Sequence, residues 1–324
     1  MKAIRETLIQ KLVKGDFLSG QALGDELGVS RAAISKHIAA LQEMGFDIFS
    51  VTGKGYRLAE PIELLSEEKI VSYIDKGNIT AKVEVHNVID STNSYLMRRL
   101  PNQNLPGQVC IAEYQSAGRG RRGRQWISPF GSHIYMSMYW PLEQGLSAAM
   151  GLSVVAALAV SDAIKALYNI EVQLKWPNDI YLNGVKLAGI LIDLEGQAME
   201  ACHCVVGIGL NINMPPKSAE LVDQPWTDLS SAIGAEIDRN VLAAKIISAL
   251  IERLSTHRQT GISTMISQWQ AQDFYLNKSV VLVTGNNATR GVCRGINTQG
   301  ALLLEVNGKV SPVYGGEVSL RGGI

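Results

Sequence analysis

The sequence predicts an α+β fold in three parts: a winged helix-turn-helix over residues 1–65, a central region of mixed strands and helices over 66–272, and a small β-barrel over 273–324. Three observations predict it. The first 60 residues carry three helical stripes and then a glycine-flanked hairpin, the middle alternates strand-like and helix-like runs, and short β-runs separated by turns follow Lys278. A length of 324 residues suits two or three domains at roughly 150 residues each.

In the N-terminal part, Ile4, Leu8, Leu12, Ile9 and Val13 form the apolar stripe of an amphipathic helix. Ser19 caps a second helix through Leu27, Gly28 permits the tight turn, and Ser30 caps a third helix to about Met44. This is helix-turn-helix spacing. Ala33, Ile34, Ile38 and Leu41 turn inward, which leaves Arg31, Ala32, Ser35, Lys36 and His37 outward behind the Ser30 cap, where they suit a major groove. The strands FDIFSV and YRLA, joined through Thr52, Gly53, Lys54 and Gly55, make a wing with a lysine at its tip. Residues 1–60 hold eight basic and seven acidic side chains, too even a balance for strong sequence-independent binding. The basic residues nevertheless fall on the reading helix and the wing, so the expected partner is DNA; a winged helix used only for protein contact is the alternative.

Pro61 interrupts the chain, and a helix begins at Ser66. Strands are expected near 82–88, 108–114, 132–140, 171–176, 179–183, 185–194 and 202–211, and helices near 92–100, 148–168 and 240–258. Asn183 and Gly184 mark a tight hairpin. The cluster Cys202, His203, Cys204 lies in an alternating strand that sends the histidine to the opposite face, so no metal site is expected there.

The most informative segment is AEYQSAGRGRRGRQW, residues 112–126. Between Ser116 and Gln125 it holds Arg119, Arg121, Arg122 and Arg124, three glycines and no acid. Like charges 4 Å apart repel by about 4 kcal/mol at an effective dielectric of 20, so the loop is expected to stay mobile until an anion gathers it. GRGRRG fits the dinucleotide-binding pattern, but no helix opens behind it, Pro129 and Gly131 come soon after, and no ribose-binding acid is expected about 20 residues on at a strand end, so that reading fails. A loop for nucleic acid is the stronger rival on composition. VIDSTNSY sets Ser91, Thr92 and Asn93 at a helix start, with free N–H groups and hydroxyls. QLKWPNDIYL places Lys175 before Trp176, Pro177, Asn178 and Asp179, and KLAGILID sets Lys186 on an apolar strand beside Ala188 and Gly189. A lysine there reaches solvent or meets an anion.

Thirty basic and thirty acidic residues cancel, so anion binding must be local. The N-terminus lacks the apolar block of a secretory signal, and four scattered cysteines suit a reducing compartment, so a cytoplasmic location is expected. The uncharged stretch from Gln144 to Ser161 falls short of the ~20 apolar residues of a membrane span and reads as a buried helix.

DSTN, GRGRRGR, KWPND, KLAGIL and GIGLNIN, in this order, resemble the biotin protein ligases, and with the winged helix in front the chain resembles their bifunctional ligase/repressor members. The resemblance is densest over 16–58, 90–140 and 174–213. It implies a central domain related to class II aminoacyl-tRNA synthetases, followed by an SH3-like barrel. It also implies activation of biotin by ATP with Mg2+, and transfer to a lysine of the biotin carboxyl carrier protein of acetyl-CoA carboxylase. A homodimer that binds operator DNA when the adenylate is bound follows from the same likeness.

By the same resemblance Ser91, Thr92, Asn93, Gln115 and Leu191 line the biotin pocket, and Arg119, Gly120 and Arg121 close over it. Lys186 contacts carboxylate and phosphate. Trp126, Pro129, Gly131, Lys175, Asn178, Asn211 and Trp226 lie near the nucleotide. The catalytic residues expected are Lys186, Arg121 and Arg119, with Asp179 as a candidate for removing the amine proton. The chemistry asks for such cations, because a carboxylate must approach a polyanionic nucleotide. A lipoate ligase, or a ligand-sensing repressor without ligase activity, are the alternatives.

Overall fold

Ser19 and Ser30 each turn a hydroxyl back onto a helix start, accepting from Ala22 N at 3.4 Å and Ala33 N at 3.2 Å, and Gly28 closes the intervening turn at φ 67°. Those local rules build helices α1 (Lys2–Leu12), α2 (Gly20–Leu27) and α3 (Arg31–Glu43), with a two-stranded wing of β1 (Ile48–Val51) and β2 (Gly55–Leu58). The computed structural model describes residues 2–74, 81–143, 149, 151–196, 202–315 and 318–323.

Ser66 caps α4 (Glu67–Tyr73). There follow β3 (Val83–His86), α5 (Thr92–Met97), β4 (Val109–Ala112), β5 (His133–Leu142), α6 (Leu152–Tyr168), β6 (Gln173–Lys175), β7 (Asp179–Leu182), β8 (Val185–Glu195) and β9 (Cys202–Asn211). The seven strands form one mixed sheet in the order β3-β4-β5-β9-β8-β7-β6, parallel between β3 and β4 and antiparallel elsewhere. The short helices α7 (Pro216–Ala219) and α8 (Leu229–Ile233) lead to α9 (Arg239–Thr260) and α10 (Ile266–Gln272). Helices α6 and α9 pack on each other and on the sheet, while α5 packs on β4, β5 and β9.

The C-terminal part is a five-stranded antiparallel sheet ordered β13-β12-β11-β10-β14, made of β10 (Ser279–Thr284), β11 (Asn287–Ile296), β12 (Leu302–Val306), β13 (Lys309–Val313) and β14 (Val318–Gly322). The apolar core of the central part runs without a break into it through Val280, Leu282, Cys293 and Leu302.

Some elements differ from expectation for physical reasons. The helix expected over 92–100 ends at Met97, because the residue ahead of Pro101 disfavours helical backbone. The helix expected from 148 starts at Leu152, behind Gly151 at φ 83°; residues 148 and 150 lie outside the described residues. Strand β11 carries Gly291 and Gly295, which mask its period: a Cβ on Gly291 would meet Glu305 O at 2.6 Å, and the register shifts between Cys293 and Ile296. Strand β13 carries Pro312, tolerated at the sheet's edge. On β9, Cys202 and Cys204 are buried and His203, on the other face, meets Tyr139 at 2.8 Å.

Two contacts fix the winged helix against the central part. Phe130 enters the N-terminal core, its ring 4.1 Å from that of Phe46, and its N–H donates to Met44 O. Beneath it, the buried pair Arg239–Glu113 (2.6 Å) clamps the connecting segment: Arg239 Nη2 donates to Glu63 O at 2.6 Å, and Leu65 N donates to Glu113 Oε1. Asn240 adds an acceptor for Ser66 N at 2.8 Å.

Candidate functional site

A cavity of about 370 Å3 lies between the N-terminus of α5, one face of β8 and β9, the arginine loop, and the 214–226 segment, with Ser319 and Leu320 of β14 also lining it. Its floor is made by absent side chains. A Cβ on Gly207 would lie 2.1 Å from Asn93 Oδ1, one on Gly209 2.5 Å from the Trp126 ring, and one on Gly189 3.0 Å from the same ring. Glycine here lets an amide and an indole press onto the sheet.

One end of the cavity is a hydrogen-bonded polar wall. Ser91 caps α5, and Thr92 N and Oγ1 both donate to Gln115 Oε1, at 2.9 and 3.2 Å. Gln115 Nε2 donates to Ser128 Oγ at 3.1 Å, and the Ser137 hydroxyl lies 2.7 Å from Thr92 Oγ1 and 2.5 Å from Asn93 Oδ1. Leu191 and Ile127 supply apolar wall beside these groups. The mixture suits a mostly apolar ligand with a few polar atoms.

The same cavity is rich in cations. Arg119, Arg121, Arg122, Arg124, Lys175 and Lys186 line the cavity against the carboxylates of Asp179 and Asp223. Lys186 Nζ stands 2.7 Å from Asp179 Oδ1 and 5.5 Å from the Trp126 ring centre. Lys175 Nζ donates to Tyr181 OH at 2.8 Å, and burial pushes that phenol up to about 12. Trp226 runs beside Lys186 as an isolated bridge, and Asn211 Nδ2 donates to Thr227 O at 3.1 Å. The Trp126 Nε1–H is buried with no acceptor among the described residues. A buried donor of this kind fits an incoming acceptor.

The arginine loop is folded rather than loose. Arg119 Nη2 pairs with Asp193 Oδ2 at 2.5 Å, Arg121 Nη1 donates to Asn178 Oδ1 at 2.8 Å, and a single 3-10 turn spans Arg121–Gly123. The local sequence has no acid, but β8 and the segment after Pro177 bring acceptors from far along the chain. Burial, reinforced by Arg122 and opposed by Asp179, lowers the Arg121 pKa. Lys186 likewise finds an anion inside the protein, in Asp179.

Of the expected ligand-site residues, Ser91, Thr92, Asn93, Gln115, Arg119, Gly120, Arg121, Trp126, Lys175, Asn178, Lys186, Leu191, Asn211 and Trp226 share this cavity. Pro129 and Gly131 do not. They lie on the seam with the winged helix, where a Cβ on Gly45 would meet Pro129 Cβ at 2.9 Å and one on Gly131 would meet Ile62 at 2.8 Å. Asp193 and Ser137 were missed, although period 2 along β8 puts Asp193 on the face of Leu191, and Ser137 is the one small polar side chain in the β5 run IYMSMYW. Met214 and residues 221–224 carry no signal beyond their place after GIGLNIN.

On the winged helix, Ser30, Arg31, Ala32, Ser35 and Lys36 are exposed at the start of α3, and Lys54 is exposed at the wing tip. His37 is half-buried, and burial, with Arg5 and the N-terminal amine, lowers its pKa. Lys54 and Arg57 stand over the Phe17 ring at 5.6 and 4.9 Å. No helix among the described residues is long and apolar enough to cross a membrane.

Residues 85–211, which contain the cavity's sheet and loop, match the Biotin/lipoate A/B protein ligase family. Residues 4–57 match a helix-turn-helix domain family, and 275–321 match the biotin protein ligase C-terminal domain. These define the class: a biotin/lipoate-type ligase domain carrying a DNA-binding module. The bifunctional ligase/repressor BirA of Salmonella typhimurium is 48% identical over 97% of each chain. That of Escherichia coli K12 is 47% identical over 97% of this chain and 96% of its own. The solved biotin protein ligase from Aquifex aeolicus in complex with biotin and ATP superimposes with a TM-score of 0.64 at 26% identity, over 75% of this chain and 99% of that one. The chain belongs to the bifunctional ligase/repressor family of biotin protein ligases.

Proposed function

We propose that this protein joins biotin to ATP as biotinyl-5'-adenylate, transfers the acyl group to a lysine of the biotin carboxyl carrier protein of acetyl-CoA carboxylase, and acts as a repressor in the adenylate-bound form. The observation that carries this reading is one cavity that joins a wall of hydroxyl, amide and aliphatic groups to six cations, with Arg119 reaching the Asn93 side through Asp193. We divide the work among residues 1–65 for DNA, 66–272 for both chemical steps and 273–324 for the cavity's rim.

Biotin lies with its urea against Ser91, Thr92, Asn93 and Gln115 and its ring against Leu191, under Arg119, Gly120 and Arg121. The nucleotide takes the end lined by Trp126, Lys175, Asn178, Asn211 and Trp226. Lys186 stands where the carboxylate oxygen attacks the α-phosphorus, and it shields the two anions from each other. The P–O bond to pyrophosphate breaks as the mixed anhydride forms. The described residues hold no cluster of three His, Cys, Asp or Glu side chains, so Mg2+ would be held chiefly by phosphate oxygens, where it neutralises charge. In the second step the acceptor amine attacks the acyl carbon and AMP leaves. An amine of ordinary pKa near ~10.4 must lose a proton, and Asp179 is the nearest candidate once Lys186 turns to the ligand.

Bound adenylate is expected to promote a homodimer whose two winged helices reach successive operator half-sites through Arg31, Ala32, Ser35, Lys36, His37 and Lys54. The test is ATP-dependent transfer of labelled biotin to a carrier domain, with lipoate as competitor. Labelled carrier together with AMP and pyrophosphate is the expected result; no label, or equal use of lipoate, overturns the assignment. Lys186→Ala is expected to abolish pyrophosphate release while circular dichroism stays native.

A further inference from the structure

Strand β7 holds two lysines of the cavity, and it holds them differently. Its neighbours β6 and β8 set Lys175 opposite Asp179 and Lys186 opposite Tyr181, and period 2 along β7 puts Asp179 and Tyr181 on one face. Lys186 Nζ meets the Asp179 carboxylate at 2.7 Å, whereas Lys175 Nζ donates to the Tyr181 hydroxyl at 2.8 Å. One ammonium stands beside an anion and the other beside a neutral acceptor.

The phenol can play that part because it keeps its proton. Burial, with Asp179 adding to it, pushes Tyr181 up to about 12, so at neutral pH no phenolate forms to cancel the charge of the lysine. The hydroxyl accepts through an oxygen lone pair, and Lys175 Nζ lies closer to it than to the ring centre, which is 4.8 Å away. The ring has little room to swing: Phe274 packs on it with centroids 5.0 Å apart, and Tyr275 packs on Phe274 at 4.8 Å. These aromatic residues open the segment that leads into the C-terminal sheet. That segment is fastened to β6, since Phe274 N donates to Leu174 O at 2.8 Å, and Trp176 Nε1 donates to Gly300 O at 3.0 Å. Lys175 lines the cavity and Tyr181 does not, so the phenol acts from behind the ammonium.

We propose that Tyr181 is a positioning residue for the nucleotide: it holds the Lys175 ammonium at the cavity wall without neutralising it, so that an uncompensated positive charge meets the incoming phosphates. The proposal rests on the reading of the cavity as a biotin and nucleotide site. It gives the two lysines separate tasks. Lys186 must exchange its carboxylate partner for the ligand, whereas Lys175 keeps both its partner and its charge.

The test uses the full chain with Tyr181→Phe, which removes the acceptor and keeps the ring on Phe274. Initial rates of adenylate formation, with ATP and biotin varied in turn, should show KM for ATP raised about tenfold, the lower end for one hydrogen bond to a charged group. The kcat, the KM for biotin and the unfolding midpoint should stay near those of the unmodified protein, a split that a general loosening of the hairpin would not produce. Pyrophosphate, a product, should inhibit the variant more weakly by a similar factor. Lys175→Met removes the charge itself and should raise KM for ATP further. In that background Tyr181→Phe should add no more than about twofold, because the phenol acts only through the ammonium. An unchanged KM for ATP, a biotin KM that rises in step with it, an unchanged inhibition by pyrophosphate, or losses that multiply in the double variant overturn the proposal. If the unmodified protein forms no adenylate from biotin and ATP, the reading of the cavity fails and this inference with it. If it forms adenylate and Tyr181→Phe leaves KM for ATP untouched, only the part given to Tyr181 falls.

Discussion

Two arginine–carboxylate pairs hold this molecule in different ways. At the junction with the winged helix, Arg239 and Glu113 are 7% and 0% exposed, and backbone of the connecting segment bonds both of them, through Glu63 O and Leu65 N. At the cavity mouth, Arg119 of the loop and Asp193 of β8 are 46% and 20% exposed, and Arg122 and Arg124 of the same loop face solvent. The chemistry is the same and the consequence is opposite. Water screens the outer pair, which can therefore open for a ligand, whereas the inner pair cannot separate without leaving a bare charge in the interior. The junction is built to stay and the mouth to move.

The sharpest way to break this contrast is to remove one member of the inner pair. Arg239→Met strands the Glu113 carboxylate, and the unfolding free energy measured in urea is expected to fall by about 3–5 kcal/mol. Adding Glu113→Leu should recover much of it, since an apolar pair leaves no charge to solvate. A loss under about 1 kcal/mol in the single variant would make the junction no different from the mouth.

The same junction should be sensitive to acid. His133 is buried beside Arg239; burial carries its pKa from 6.5 down to about 4, with the Ser132 carbonyl and Asp228 opposing and Arg239 assisting. The folded protein thus binds this proton less readily than the unfolded chain. The stability it secures is complete above pH 6.5 and is lost as pH falls toward 4, by on the order of 3 kcal/mol. Unfolding midpoints followed between pH 7 and 4.5 should decline, and His133→Gln should flatten the decline; an identical slope in that variant would remove His133 as its cause.

The two regions also differ in how far the sequence announced them. Part of the pocket was legible because it carries chemistry in its own neighbourhood, as hydroxyls at a helix start, arginines among glycines and a lysine on an apolar strand; Gln115, Leu191, Asn211 and Trp226 were implied only by the resemblance to biotin protein ligases. The junction was not. Glu113 and Arg239 lie far apart in the chain, and each looks like an ordinary charge beside a strand or a helix start. Pro129 and Gly131 illustrate the same gap, since the resemblance to biotin protein ligases implied a place near the nucleotide, while the turn ahead of β5 packs them against Gly45 and Ile62 at the winged helix. Asp193 was hidden for a related reason: its two partners come from α5 and from the loop, and only the folded sheet brings all three together. The element boundaries, by contrast, followed caps and glycines that act within a few residues. Local rules were readable, and pairings over long separations were not.

At the mouth the expected effects are kinetic. Arg121 bonds Asn178 from the loop, and Arg121→Gly removes that bond together with a charge over the ligand. Release of labelled adenylate into solution should quicken by about ten- to a hundredfold, the equivalent of one hydrogen bond to a charged group at 1.5–3 kcal/mol. Retention equal to that of the unmodified protein would leave the loop with no part in holding the intermediate.

The smallest expected effect is the most discriminating for the contrast itself. Arg119→Ala should change the unfolding free energy by no more than about 1 kcal/mol, because the ion pair it deletes is half-exposed and screened. Raising the salt concentration should shrink even that difference, since the pair lies within reach of mobile ions. Arg239→Met should be almost indifferent to salt, its charges being out of reach of the solvent. If Arg119→Ala destabilised the fold as much as Arg239→Met, and with the same indifference to salt, the mouth would be as rigid as the junction, and a loop that opens for its ligand would have no physical basis.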